Sequence, residues 1–326
     1  MSAKIVPELR IYKRHLFLDC KYYKAIFKIL STVLKAVRDF LYSRGFIELI
    51  APIVAPVTDP GTRLAREFTV DFYDEHAVLT TSVILYKLAS MKIHDKVFFI
   101  AHNIRKEPER INDFTRYLSE FRQIDLEMAY ASREQVMKLS EELLIYVISV
   151  VKRERRDELE LLGRELKVPH RPFKVIRFRD AVELVKEAGY GLEETGELST
   201  EAEVYISKLH KEPFWIIGFP PEARGFYYKK KNDEELLDMD LLYPEGFGEA
   251  ASGGEREVDP KRVRERMIET RVNPRKYIWL FELLYSGVPP CAGIGFGLER
   301  FMRYITGVKE IIDVIPFPKA PGYLGI

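Results

Sequence analysis

Val97-Phe98-Phe99-Ile100-Ala101-His102-Asn103-Ile104-Arg105-Lys106-Glu107, a charged loop from Pro108 to Ser119, and Glu120-Phe121-Arg122-Gln123-Ile124-Asp125-Leu126-Glu127-Met128-Ala129-Tyr130 read as two strands of one hairpin. Side chains alternate across a strand, so Arg105 and Glu107 share one face, and Phe121, Gln123, Asp125 and Glu127 share one face of the partner strand. The other side of the second strand carries Ile124, Leu126 and Met128, which suit a core. An arginine, an acid and a flat ring on one sheet surface can bind a nucleotide: guanidinium to phosphate, ring to base, carboxylate to an exocyclic amine. A solvated sheet face laced with salt bridges fits the same pattern and is the commoner outcome.

Upstream of the hairpin, residues Met1 to Leu18 are basic and without period, either a short arm lying on the body or a mobile tail. From Lys21, the residues Ile26, Ile29, Leu30, Val33, Val37, Phe40 and Leu41 recur at helical spacing, and Gly45 ends the helix. Phe46 to Ile50 reads as a strand stopped by Pro52, with further short strands near Phe68–Tyr73 and Ala77–Leu79 and a helix over Ser82–Met91. Downstream, the pattern predicts one long helical region from Glu134 to Leu166, then strand and helix over Phe173–Gly191 and a helix over Glu201–Leu209. Strands are expected over Phe214–Phe219, Phe226–Lys230, Leu236–Tyr243 and Gly248–Gly253, and helices over Arg262–Thr270 and Ile278–Ser286. Strands come in neighbouring runs rather than strict strand–helix alternation, so an α+β fold with an antiparallel sheet flanked by helices is expected.

Composition narrows the function classes. The 326 residues carry 51 Lys+Arg against 50 Asp+Glu, a formal net charge of +1, so no charge excess advertises a nucleic-acid or membrane partner. With 47% hydrophobic and 31% charged residues the chain belongs with ordinary globular proteins rather than disordered or fibrous ones. Cys20 and Cys291 are too few for a disulfide framework or a cysteine metal cluster, and the six histidines lack metal-ligand spacing. No apolar run approaches the roughly 20 residues of a membrane helix, and the charged start does not resemble a signal peptide, so a cytoplasmic, reducing setting is expected.

Two further segments could carry chemistry. Asp238 and Asp240 lie on one strand face, Tyr243-Pro244-Glu245-Gly246 turns the chain, and Glu249 returns on the next strand. Paired carboxylates are hard oxygen ligands of the kind Mg²⁺ takes, usually with substrate phosphates completing the shell; an acidic turn that keeps a sheet edge soluble is the plain alternative. Near the C-terminus, Gly293-Ile294-Gly295-Phe296-Gly297-Leu298-Glu299-Arg300 places glycines at alternate strand positions, opening a surface for a flat ligand, with Arg300 in the first turn of a helix. It is neither a dinucleotide fingerprint nor a P-loop, because the glycine spacing and the missing Gly-Lys-Ser/Thr rule both out.

Taken in order, these segments resemble motifs 1, 2 and 3 of the class II aminoacyl-tRNA synthetases, and the aspartyl/asparaginyl/lysyl subgroup fits best. Motif 1 would run from Gly45-Phe46 through Pro52 after its long helix; motif 2 would be Ile104-Arg105-Lys106-Glu107, the loop, and Arg116-Tyr117-Leu118-Ser119-Glu120-Phe121; motif 3 would be Gly293 to Arg300. Asp238-Met239-Asp240-Leu241 and Gly248-Glu249-Ala250-Ala251-Ser252-Gly253-Gly254-Glu255-Arg256-Glu257 look like the subgroup's metal and substrate segment. The resemblance spans Tyr22 to Pro318 and implies a class II catalytic domain over 19–326 behind an arm at 1–18. It further implies that Arg105 grips the α-phosphate of ATP as a transition-state clamp, that Phe121 stacks on adenine with Glu107 near its amino group, and that Arg300, assisted by Arg116, covers the other face and reaches the γ-phosphate. Asp240, Glu249 and Ser252 would hold Mg²⁺, with Glu249 also on ATP. Lys87 and Arg256 would hold a substrate carboxylate, with Ser82, Gln123, Ser252, Gly253 and Gly295 as further substrate contacts. Two cations around one carboxylate favour aspartate over its amide. Motif 1 builds a two-fold interface in this class, so a homodimer is expected.

Departures from the subgroup carry information too. Its N-terminal anticodon-binding β-barrel, about a hundred residues long, has no room ahead of Gly45. Pro60 stands in Thr58-Asp59-Pro60-Gly61 where aspartyl enzymes have a glutamate, Ile84 stands where they have a glutamine, and Tyr117 stands at the motif 2 histidine. That combination resembles the archaeal asparagine synthetases related to asparaginyl-tRNA synthetase, which implies asparagine made from aspartate, ATP and ammonia through an aspartyl-adenylate, with tRNA a weaker expectation as partner. The alternatives are a truncated aspartyl- or asparaginyl-tRNA synthetase paralogue that charges tRNA or another acceptor, and a non-catalytic regulatory paralogue.

Overall fold

A computed structural model describes residues 6–59, 66–108 and 114–326. In chain order its strands are β1 (Ile47–Glu48), β2 (Val54–Ala55), β3 (Thr69–Phe72), β4 (Glu75–Leu79), β5 (Lys96–Ile104), β6 (Glu120–Ala129), β7 (Lys174–Arg177), β8 (Phe214–Ile217), β9 (Asp238–Tyr243), β10 (Gly248–Glu255) and β11 (Cys291–Gly297). The helices are α1 (Pro7–Tyr12), α2 (Lys21–Ser43), α3 (Ile84–Ser90), α4 (Arg133–Glu154), α5 (Arg156–Leu161), α6 (Phe178–Glu187), α7 (Thr200–Lys208), α8 (Pro260–Glu269), α9 (Ile278–Tyr285) and α10 (Leu298–Thr306).

One eight-stranded sheet runs in the order β1-β5-β6-β11-β10-β9-β8-β7, antiparallel from β5 through to β8 and parallel only at its two edges. Helices cover it, as the runs of neighbouring strands predict: the fold is α+β with an antiparallel-dominated sheet. One sheet face is apolar because alternate residues of six successive strands point the same way, from Phe98, Ile124 and Leu126 through Ile294, Phe296 and Ala251 to Met239, Leu241 and Trp215. Helix α2 presses Ile26, Ile29, Val33 and Val37 against that core, and α4, α5 and α10 share it. A capping box between Ser132 and Gln135 starts α4, and left-handed Gly45 closes the turn after α2. Part of the other face is covered by α3, α8 and α9, which enclose Val97, Phe99 and Ala101. A three-stranded sheet, β2-β4-β3, stands beside the main one.

Several boundaries differ from expectation. The helix expected over Glu134–Leu166 breaks at Arg155, whose backbone leaves the helical region (φ −128°, ψ 33°) while its guanidinium bonds Thr32 Oγ1 at 2.6 Å. The strand expected over Phe46–Ile50 shrinks to two residues, because β1 is an edge pairing only with Val97 and Phe98. Phe226–Lys230 makes isolated bridges rather than a strand: Tyr228 pairs with Arg256 and Lys230 with Leu236, with no continuous ladder between them. The first strand of the motif 2 hairpin ends at Ile104, since Lys106 turns to pair with Arg66.

Residues 6–18 lie on the body. Arg14 is fully buried and donates to Ile312 O at 2.6 Å, while Arg10 pairs with Asp313 and Glu310 and Tyr23 donates to Asp313 at 2.7 Å.

Candidate active site

Backbone register builds the site. Asp240, Ser252, Gly295 and Asp125 stand opposite one another on β9, β10, β11 and β6, and directly opposed residues of a ladder share a face. The next rung repeats the arrangement with Asp238, Gly254, Gly293 and Glu127. Above this face lies a cleft of about 510 Å³, the size of an ordinary small-molecule site. Among the expected residues, Arg105, Glu107, Arg116, Phe121, Glu249, Arg300, Ser82, Lys87, Gln123, Ser252, Arg256 and Gly295 line it.

Gly253 and Asp240 do not. Gly253 pairs with Met239 and Ile294 on the core face, and a Cβ there would meet Gly293 O at 2.4 Å, so its role is close packing of two strands rather than substrate contact. Asp240 is on the cleft face but buried under Arg224, whose guanidinium pairs with it and itself lines the cleft.

The acidic pair depends on a β-bulge. Glu249 opposes Leu242 and Ala251 opposes Leu241, leaving Ala250 without a partner. In an unbulged strand Glu249 and Ser252, three residues apart, would point to opposite faces; the extra residue brings both to the side of Asp240. No group of three or more histidine, cysteine or acidic residues converges as a metal cage among the described residues. The donors nonetheless suit Mg²⁺ in its usual protein setting, two carboxylates with phosphate oxygens to complete the shell, and Asp240 Oδ1 is buried without a hydrogen-bond partner. Burial and the Glu249 charge push the Asp240 carboxyl up, and Arg224 pulls it back down.

Arginines ring the rest of the cleft. Arg105 follows β5, donates from Nε to Thr81 O at 3.1 Å and lies 4.9 Å from the centre of the Phe121 ring. Its burial lowers its pKa, so its charge is held partly desolvated, where it acts most strongly on an anion. Arg300 pairs with Glu249 at 3.0 Å, and Arg116, buried, reaches the same carboxylate at 3.6 Å and also pairs with Glu203.

Beneath them the floor is closed and charge-balanced. Lys87 Nζ lies 2.9 Å from Asp125 and 3.5 Å from Glu127, and Arg256 binds Glu127 through two bonds of 2.8 and 3.0 Å. Burial works against the Arg256 charge, but Glu127 outweighs it and raises the pKa. The two cations expected around a substrate carboxylate already share an acid of the protein: Glu127, fully buried, lies between Lys87 and Arg256. The glycines make this possible, because a Cβ at Gly293 would meet Glu127 Oε2 at 2.0 Å and one at Gly295 would meet Asp125 Oδ1 at 2.7 Å. Space over alternate glycines is thus filled partly by neighbouring carboxylates rather than left wholly for a flat ligand.

Some of the site was not foreseen. Arg224, with its partners Glu197 and Asp238, and the Tyr227–Asp59 hydrogen bond of 2.9 Å all lie at or beside the cleft. The available signal was a lone arginine in Pro221-Glu222-Ala223-Arg224-Gly225, next to an aromatic run and just ahead of an acidic strand. Of the departures, Ile84 and Tyr117 line the cleft, with the Tyr117 hydroxyl 3.2 Å from Thr200 Oγ1; Pro60 lies outside the described residues.

Comparison with known proteins agrees with this geometry. Residues 6–321 match the family described as tRNA synthetases class II (D, K and N). The aspartate–tRNA(Asp/Asn) ligase of Methanopyrus kandleri is 38% identical over 299 residues, covering 91% of this chain and 68% of that protein. The aspartate–tRNA(Asp) ligase of Pyrococcus horikoshii is 36% identical over 330 residues, covering 98% and 74%. Asparaginyl-tRNA synthetase from Pyrococcus horikoshii, in its crystal structure with asparaginyl-adenylate, superposes with a TM-score of 0.92 at 29% identity, over 99% of this chain and 75% of that one. The antiparallel sheet, the arginine-ringed cleft and these matches together make the chain a member of the class II tRNA synthetase family that serves aspartate, lysine and asparagine.

Proposed function

We propose that the protein is an ATP- and Mg²⁺-dependent ligase that activates aspartate, or asparagine, as an acyl-adenylate. The observation that carries this reading is the pairing, in one cleft, of Arg105 beside Phe121 with Arg300 on Glu249. The substrate carboxylate attacks the α-phosphorus of ATP, the bond to the bridging oxygen breaks, and pyrophosphate leaves. Arg105 stabilises charge building on the α-phosphate, Arg300 and Arg116 hold the outer phosphates, and Phe121 offers its ring to adenine. Mg²⁺ on Asp240, Glu249 and Ser252 would neutralise phosphate charge. Lys87 and Arg256, held in place by Asp125 and Glu127, would orient the amino acid by its carboxylate.

The adenylate needs an acceptor that attacks its acyl carbon and releases AMP. The relatives named as tRNA ligases support a tRNA hydroxyl. A second reading, ammonia giving free asparagine, draws on Ile84, an apolar side chain in the cleft where the resemblance to aspartyl enzymes leads one to expect glutamine. Incubation with aspartate or asparagine, ATP and Mg²⁺, with ammonium or tRNA added separately, decides between them. AMP and asparagine formed without tRNA favour ammonia; charged tRNA without free asparagine favours the tRNA ligase. Absence of pyrophosphate exchange with either amino acid would remove both.

A homodimer belongs to the same proposal. Ile50, Ile53, Val54, Phe72 and Tyr73 are exposed apolar residues on and beside β1–β3, the surface following motif 1, and sedimentation should give a particle of two chains.

A further inference from the structure

Arg224 is an unusual arginine for a loop residue. Its side chain is 8% exposed, its guanidinium lies 3.7 Å from the centre of the Phe219 ring, and it serves three carboxylates at once. Nη1 is 2.9 Å from Glu197 Oε1, Nε is 3.2 Å from Asp238 Oδ2, and Nη2 pairs with Asp240 Oδ2. Nη1 also lies 3.5 Å from Ser252 Oγ. Every one of the three acids is itself buried. Such an arrangement keeps ionised carboxylates out of water only while a cation stays among them.

We propose that Arg224 is a tethered countercation that holds the Asp240 position until a divalent metal arrives, so that guanidinium and metal exclude one another on this carboxylate. This rests on the reading of Asp240 as a metal ligand. Two observations support it. Asp240 does not line the cleft while Arg224 does, so a metal arriving with nucleotide phosphates meets the guanidinium first. Asp240 Oδ1 also has no hydrogen-bond partner, so the arginine leaves coordinating capacity unused on the carboxylate it covers. Asp238 and Glu197 give Arg224 a second place to rest once Asp240 is released, which keeps the exchange free of a stranded buried charge.

Competition predicts that removing the guanidinium tightens metal binding, where a simple structural brace predicts loss. The test is direct titration of Mn²⁺, without nucleotide, into the full chain and its Arg224→Gln, Arg224→Lys and Asp240→Asn variants, followed by the paramagnetic signal of free Mn²⁺. Arg224→Gln should bind roughly tenfold more tightly than the parent, within the usual range for two ligands coupled through one site. Arg224→Lys, which keeps the charge but cannot span all three acids, should fall between them and guards against a variant that fails to fold. Asp240→Asn should abolish the gain when combined with Arg224→Gln. Equal or weaker Mn²⁺ binding by Arg224→Gln, with Asp240→Asn still harmful, overturns the competition and leaves the metal assignment standing. If Asp240→Asn changes nothing in either background, Asp240 is not a metal ligand and both ideas fall together.

Discussion

The floor of the cleft and its arginine-lined rim solve the problem of buried charge in opposite ways. On the floor, Lys87, Asp125, Glu127 and Arg256 are at most a few per cent exposed and answer one another through short contacts within the protein. At the rim, Arg105 and Arg300 are only half-buried, and Arg300 leans on Glu249, a carboxylate proposed to hold Mg²⁺. A closed network orients its members before any ligand arrives; an open one keeps part of its electrostatic capacity for the ligand. On the proposed function, charge in this cleft has two jobs, holding geometry below and stabilising a reaction above.

Substitutions can break that contrast. The largest expected effect is on the floor. Glu127→Ala leaves two buried cations without their shared partner, and chemical denaturation should show a loss of about 3–5 kcal/mol. A loss below about 1 kcal/mol would mean that water or rearrangement already screens the floor. Next comes the rim: Arg105→Ala should lower aspartate-dependent ATP–pyrophosphate exchange by roughly 10²–10³-fold. Its unfolding midpoint should stay close to the parent's, because the Arg105 side chain is half-exposed and rests on Thr81 O and the Phe121 ring. Exchange within a few-fold of the parent would show that the rim is not where phosphate is gripped.

The smallest effect sharpens the boundary between the two. Glu299, buried directly before Arg300 and accepting from Arg122 N at 3.0 and 3.1 Å, has its carboxyl pushed up by burial from 4.5 to about 7. The folded state then holds this proton more tightly than the unfolded chain does. Stability should therefore be highest below about 4.5 for this group and fall as pH rises towards about 7. Glu299→Gln should flatten that part of the stability–pH curve, as followed by thermal unfolding at a series of pH values; an unchanged curve would place the ionisation elsewhere.

Much of the cleft was legible because a strand writes its two faces in alternate letters. Phe121, Gln123 and Asp125 could be assigned to one surface, and Ile124 and Leu126 to the core, without knowing any partner strand. Pairing across strands was not legible. Nothing in the spacing of Lys87, Glu127 and Arg256 says that the acid lies between the two cations, since they come from α3, β6 and the residue after β10, far apart in sequence. Arg224 escaped for a related reason: its loop has no period, and its meaning comes entirely from the acids of β9 and the segment before α7. The break at Arg155 is likewise tertiary, tied to Thr32 of another helix rather than to a proline or glycine.

The unpartnered Ala250 has a consequence for how polar residues sharing one strand face are recognised in sequences of this kind. It inverts the parity of β10: before it, odd-numbered Glu249 faces the cleft, and after it, even-numbered Ser252 does. A search that assumes unbroken alternation would assign these two residues to opposite sides and discard the pair. The same inversion makes the strand sensitive to length in a way that it is not sensitive to chemistry. Exchanging Ala250 for another small residue preserves the parity, whereas an insertion or deletion there would rotate every donor upstream of it out of step with those downstream.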